Sequence, residues 1–530
     1  MKRLLPVLLV FGLLLSLNIT QGNAVSADPA KQVLRIGFES IPVLLDPSMA
    51  TDDSTTTVIK GLFEGLVRLN EAGQAVPGIA KDWKISTDGK TYTFNLRSSA
   101  KWSNQQQVKA SDFEYAWKRA LAPEAGNSNA FKMFMIANAE TYHNGKLKDS
   151  SKVGVKALNN TTLQVTLSEK TSYFIQLLAE NTYLPVNALI AKADKKWATQ
   201  LKTIVTNGPF KLKQWDKDIV TLVKNSNYYA AQEIHFTEVQ LLRPKAGTST
   251  TTVAYINNEV DWVGGNELID YASLDSASTQ DMCEFPIGST YYYQFNLNKA
   301  PFNNLKIRKA LAMAVDRESI HYGTPAYGFV PWNIPGAKLD FRAEIQDTHY
   351  FSEDVVLAKK LLQEGLQEEG FTKLPSFSII VNANSNHSTI AKSVISSWNK
   401  NLGVEATLEL QPWAELLDNR YSQNFTMARA GWAADYNDPA AMLEYFTSWS
   451  TDNDTGWSNK LYDSYIRKAR QTTEPRDRIQ AYAKAEKLLI DQMVIIPLYY
   501  YVADVLHKSN IENVYVDYDS SVVFARGYLK

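Results

Sequence analysis

Cysteine is nearly absent. Cys283 is the single one in 530 residues, so the chain can form no internal disulfide, and no C-x-x-C redox or zinc pair exists. Lying between Met282 and Glu284 with no histidine close in sequence, Cys283 reads as structural rather than nucleophilic. Histidine is scarce as well. Six are present, none at metal-ligand spacing with another, which points away from a metal site. Charge of one sign is missing too, with 55 basic against 56 acidic residues. That balance argues against nucleic acid as a partner and leaves no polybasic membrane footprint. Long apolar runs are lacking everywhere except at the start.

That start is "MKRLLPVLLVFGLLLSLNITQGNAVSA". A basic end, an apolar run from Leu4 to Leu17 and small residues at Val25 and Ala27 describe a secretory signal, residues 1–27, cut before Asp28. The run is short for a membrane span, about 20 residues being needed, and no cysteine at the boundary could carry lipid. Losing Lys2 and Arg3 with the leader would leave a net charge of about −3. The protein is expected to be periplasmic or secreted.

Enzyme signatures are thin. There is no G-x-S-x-G, H-E-x-x-H or P-loop. S-x-x-K occurs at Ser98–Lys101 in a hairpin and at Ser397–Lys400 inside a helix, with no K-T-G or S-D-N to accompany either. "STDNDTGW" lacks the distal glutamate of a calcium loop and reads as a solvated turn.

What the chain does have is alternation. At 45% hydrophobic and 21% charged residues it is an ordinary globular composition, too long for one core. "KQVLRIGFES" reads as a strand, then a loop through "DPSMATDDSTTT" and a helix from "VIKGLFEGLVRL". "DWKISTDGKTYTFNL" turns a hairpin at Asp88-Gly89, and "KASDFEYAWKRAL" is a helix with a Ser-Asp cap. Strands and helices go on alternating to "VIIPLYYYVADVL" with no repeat and no linker, which favours an α/β or α+β fold whose domains the chain crosses several times.

The stretch "ARAGWAADYNDPAAM", residues 428–442, is the most informative. Its Gly, Asn and Pro suggest a strand end running into a turn, the kind of place where rigid scaffolds carry binding residues. It sets Asp435 behind Arg429 and Trp432. A carboxylate withdrawn from water needs a cation, supplied either by Arg429 or from outside the protein.

This stretch resembles the peptide-binding members of the family-5 extracellular solute-binding proteins, the receptors of ABC importers. "GLFEGLVRLNEAGQAVPGIAKDWKISTDGKTYTFNLRSSAKWSN", "IVTNGPFKLKQW" and "TYYYQFNLNKAPFNNLKIRKALAMAVDR" carry the same likeness along nearly the whole chain. The resemblance implies an α/β, two-lobed periplasmic-binding-protein (Venus-flytrap) fold with an additional third domain. Lobe I would take residues 28–63, 188–285 and 503–530, the extra domain 64–187, and lobe II 286–502. It implies a monomer without catalysis, cofactor or metal, binding short peptides and delivering them to an ABC permease. A same-family receptor for murein peptides, nickel, haem or oligosaccharide is the alternative, and a secreted hydrolase the rival from another class.

By the same resemblance, Asp435 would hold the peptide's α-amino group. Backbone at Gly431 and Ala433 would pair with an added strand, Trp413, Arg420 and Trp432 would line roomy side-chain pockets, and Arg429 and His387 would meet the carboxylate end. Arg429 paired internally with Asp435 or Asp438 stays open as the other reading. The sequence departs from enteric relatives at "HYG" (321–323), at Asn129 and at Ala433, and Asp52 and Asp53 are expected to tilt one pocket towards basic side chains.

Overall fold

Two long antiparallel strands, Met282–Phe295 and Ile495–His507, run side by side through the middle of the molecule. Their central residues, Tyr291 to Tyr293 and Ile495 to Leu498, are fully shielded from water on both faces, which is why the sequence there is a continuous apolar run rather than an alternation. The computed structural model describes residues 32–244, 250–265 and 267–530. The leader, residues 1–27, and the expected cleavage point lie outside them.

Each long strand serves two neighbourhoods. Along one half, Met427–Ala433 pairs antiparallel with 289–295, and Phe377–Asn382 and Ala406–Gln411 continue the sheet in parallel. Along the other half, Trp262–Gly264 pairs with 505–507 and leads to Val33–Gly37, Glu238–Leu242, Ile219–Lys224 and Phe210–Trp215. The register slips between Pro286 and Thr290, where one half gives way to the other. A bulge of this kind bends a strand and raises its twist. The result is two lobes threaded on a pair of shared strands, the flytrap arrangement, with helices such as Ser385–Leu402 and Pro475–Asp491 covering the second lobe.

A third, smaller unit has its own antiparallel sheet, ordered Ala80–Ile85, Thr91–Leu96, Thr162–Thr166, Val155–Asn159. Tyr92, Phe94 and Leu96 alternate inward, and the helix Ala110–Ala120, with Phe113 and Trp117 buried, packs against Val155–Asn159 and Thr162–Thr166 of the same sheet. Asp88 and Gly89 make the expected turn, Gly89 at φ +72°, a conformation glycine adopts without strain. The unit is bolted to the first lobe by Arg119, whose Nη1 and Nη2 reach the two carboxylate oxygens of Asp46 at 2.6 and 2.7 Å.

Three local expectations are corrected. The first-lobe helix spans Asp53–Leu62, beginning ahead of the threonine run rather than after it. Asp52 is its N-cap, accepting from Thr55 N at 2.8 Å, and this hydrogen bond outweighs the poor helix propensity of three threonines. The small-unit helix is not capped by Ser111. Its cap position is Lys109, whose amide donates to Asp112 at 2.9 Å. The turn at "STDNDTGW" is not solvated throughout: Asp454 is buried, because Arg420 reaches it.

A candidate peptide cleft

A cavity of about 460 Å³ opens where both lobes and the small unit meet. The helix Asp53–Leu62 contributes Asp53 and Lys60. The C-terminal turn contributes Asp517 and Asp519, the small unit Asn129, Lys132 and Glu180, and the end of Met427–Ala433 contributes Ala433, Ala434 and Asp435. Most of these charges are paired. Lys60 Nζ lies 2.7 Å from Asp517 and 2.9 Å from Asp519, and Lys132 lies 3.1 Å from Glu180. None of these was picked out from sequence as a site residue. Their partners lie far apart along the chain, so no spacing could reveal them.

Two cavity carboxylates have no hydrogen bond or ion pair among the described residues. Asp53 is pushed up to about 6 by burial and by the neighbouring Asp519 and Asp52 carboxylates. Asp435 is also raised, chiefly by burial, with Lys132 pulling the other way and Glu180 and Asp452 adding to the rise. Asp52, expected to act with Asp53, spends both oxygens on Thr55.

Arg429 does not neutralise Asp435. It is buried with its guanidinium 4.8 Å over the Tyr291 ring, and Nη2 donates to Tyr501 Oη at 3.1 Å. Asp438 is taken by Arg478. Around Arg429 the structure gathers His387, whose ring lies 5.5 Å from that of Tyr291. Arg429 Nε, Tyr291 Oη, Tyr293 Oη and His387 Nδ1 are buried without a hydrogen-bond partner of normal geometry. Burial and the Arg429 charge push His387 down to about 4, so it is neutral at pH 7. The cluster holds the partnerless Nε–H donor of Arg429 beside hydroxyls that can donate.

Between these two places runs backbone. Met427–Ala433 is paired along its whole length with Met282–Phe295, but on its other side Phe377–Asn382 meets only Met427 and Ala428. From Arg429 to Ala433 that edge has no strand partner among the described residues. An added methyl at Gly431 would come within 3.3 Å of Arg429 Nη2, so glycine leaves the guanidinium its room.

The remaining expected pocket residues divide. Trp432 is half-buried, packed 4.5 Å from the Tyr445 ring, with Nε1 donating to Ala441 O at 2.8 Å. Trp413 is 52% exposed at the head of the helix Trp413–Tyr421 and does not line the cavity. Arg420 is corrected. It is buried, with Nε 2.7 Å from Asp454 and Nη2 3.0 Å from Tyr445 Oη, an internal ion pair rather than a pocket wall. From sequence, nothing marked Asp454 as its partner 34 residues on.

The sequence pattern of the bacterial extracellular solute-binding proteins, family 5 Middle, matches residues 74–454. The chain belongs to that family. It is 33% identical over 552 residues to the oligopeptide-binding protein OppA of Bacillus subtilis (strain 168), covering 99% of both chains. To the periplasmic oligopeptide-binding protein OppA of Salmonella typhimurium it is 35% identical over 471 residues, covering 86% of this chain and 85% of that one. Among solved structures it superposes on the periplasmic murein tripeptide binding protein MppA, in its unliganded open form, with TM-score 0.83. The identity is 30%, and 94% of this chain and 97% of that one are covered. Listeria monocytogenes OppA bound to peptide gives 0.65 at 29% identity, with 94% and 99% covered.

Proposed function

We propose that this chain is an extracytoplasmic receptor that binds oligopeptides between its lobes and hands them to an ABC importer, without catalysing a reaction on them. One observation carries this most: among the described residues, a half-buried Asp435 without a hydrogen bond or ion pair stands at the end of an unpaired strand edge. A peptide laid along Arg429–Ala433 adds a strand whose main-chain hydrogen bonds are indifferent to sequence, while its ammonium meets Asp435. At the other end the partnerless donors around Arg429 suit a carboxylate. Arg429 and Ala433 are about 13 Å apart at strand rise, so a peptide of about three to five residues bridges the two charges.

The lobe limits support the same mechanism. The expected boundaries at 285/286 and 502/503 fall within the two long strands, the first beside the register slip after Pro286. Bending there brings the lobes together over ligand, and a ligand touching both shifts the open–closed equilibrium. The extra domain, placed at 64–187, and lobe I, from residue 28, belong to this scheme.

Calorimetry with free and N-acetylated peptides of equal sequence is the test. The free peptide is expected to bind and the acetylated one to bind poorly. Asp435→Asn should cost on the order of 3–5 kcal/mol, because a desolvated ammonium is left without its counter-charge. Asp53 predicts tighter binding of a Lys peptide than of its Glu counterpart. Equal affinity for free and acetylated forms would remove the peptide assignment. Recovery of cleaved peptide from the cell would point to the hydrolase instead.

A further inference from the structure

Asp435 has a difficulty. Its carboxylate makes no hydrogen bond, it lies beyond the end of a strand, and yet it is the group that must sit where an ammonium arrives. Something else has to hold it. The three residues after it are each tied. Tyr436 stacks on Tyr173 with ring centroids 5.3 Å apart and planes at 15°. Asn437, buried, donates from Nδ2 to Gly73 O at 3.2 Å. Asp438 caps the helix Pro439–Leu443 through Ala440 N at 2.9 Å and pairs with Arg478. Two of these three ties come from the small domain, across a domain boundary.

We infer that the small domain is a positioning device for the amine-binding carboxylate: Tyr173 and the Gly73 carbonyl clamp Tyr436 and Asn437 so that Asp435 faces the cleft. The inference rests on the amine-binding role proposed above for Asp435. The clamp is built to one geometry. Gly73 sits at φ +68°, a conformation that favours glycine, and a methyl there would lie 2.7 Å from Asn437 Nδ2 and push the amide from its place. It is also backed. Ser172, next to Tyr173, donates from its amide to Arg470 O and from its hydroxyl to Ala469 O, both at 2.9 Å, capturing the last turn of the helix Lys460–Gln471. Arg470 in turn reaches Glu169 at 2.7 Å. The small domain is fixed to the first lobe by Arg119 and Asp46, and to the second by this strap, so Asp435 is referred to both. Lys132, from the same domain, supplies the positive field that favours the ionised form of Asp435.

Ordinary interdomain packing would make the same contacts, so the test needs a readout that packing alone does not move. That readout is the ratio of Kd for an N-acetylated peptide to Kd for the free peptide, measured by calorimetry on the full mature protein. Tyr173→Leu, which removes the stack, is expected to reduce this ratio at least fivefold, whereas Tyr173→Phe, which keeps the ring, retains it. Asn437→Ala, which removes the Gly73 hydrogen bond, is measured alongside and stands in should Tyr173→Leu fail to fold by circular dichroism. It is expected to lower the ratio in the same direction. An unchanged ratio, or an equal loss of affinity for both peptides, overturns the clamp. Asp435→Asn separates the two layers: a ratio that survives this change overturns the amine assignment and the clamp with it. A ratio abolished there but intact in the Tyr173 and Asn437 variants overturns only the clamp.

Discussion

Asp435, Arg429 and His387 show how burial decides what a charged side chain does. Arg429 keeps its charge in an aromatic cup because the guanidinium is weakly hydrated and stacks on Tyr291. Its neighbour His387 then cannot charge easily and titrates at about 4. The unfolded chain takes up that proton near 6.5, so between these values the unfolded state binds more protons. His387 therefore contributes stability that is complete above about 6.5 and is lost as pH falls towards 4. An incoming carboxylate would favour the imidazolium. Proton NMR of the ligand-free protein should show the His387 ring titrating near 4, and saturating peptide should move that midpoint upward. A midpoint near 6.5 in the free protein, or no movement on binding, contradicts the placement. Arg420 shows the opposite use of burial. Its Nε donates to Asp454 and its Nη2 to Tyr445, so its charge is matched inside the protein.

At the scale of elements, the strand Met427–Ala433 matters most. One edge is spent on Met282–Phe295, and the other has no strand partner after Ala428 among the described residues. Free edges are normally covered or blunted, because they recruit other chains. Here the free length is short and leads directly to Asp435. Hydrogen exchange should therefore slow on peptide binding within 429–433, while amides of the already paired strand Thr91–Leu96 stay unchanged. Uniform protection, or none in 429–433, would rule out strand addition. The apolar content of the neighbouring strands explains why this edge is steady enough to act as a template. Tyr291, Tyr292 and Tyr293 are all fully buried, and Phe329 and Phe446 pack edge-on against Tyr292.

For the whole molecule, closure is the remaining motion. Small-angle scattering should report a smaller radius of gyration with saturating peptide than without it, and no change with the N-acetylated form. A radius unaffected by a peptide that calorimetry shows to bind would exclude hinge closure. The small domain constrains that motion, since Arg119 holds it to one lobe and Ser172 and Glu169 hold it to the other. Closing has to proceed as a rotation these contacts permit.

Much of this was legible in the order of residues alone. Alternating strands and helices set the fold class, the Asp88-Gly89 hairpin set local structure, and the "GWAADYNDP" stretch marked Asp435, because each depends on neighbours along the chain. Tertiary structure alone decided who pairs with whom. It gave Arg420 to Asp454, Asp438 to Arg478 and Lys60 to Asp517 and Asp519, and it left Asp435 without a hydrogen bond or ion pair among the described residues. A charge takes whichever counter-charge the fold brings within a few ångströms, at any separation in sequence, so its partner is a property of three-dimensional packing rather than of spacing.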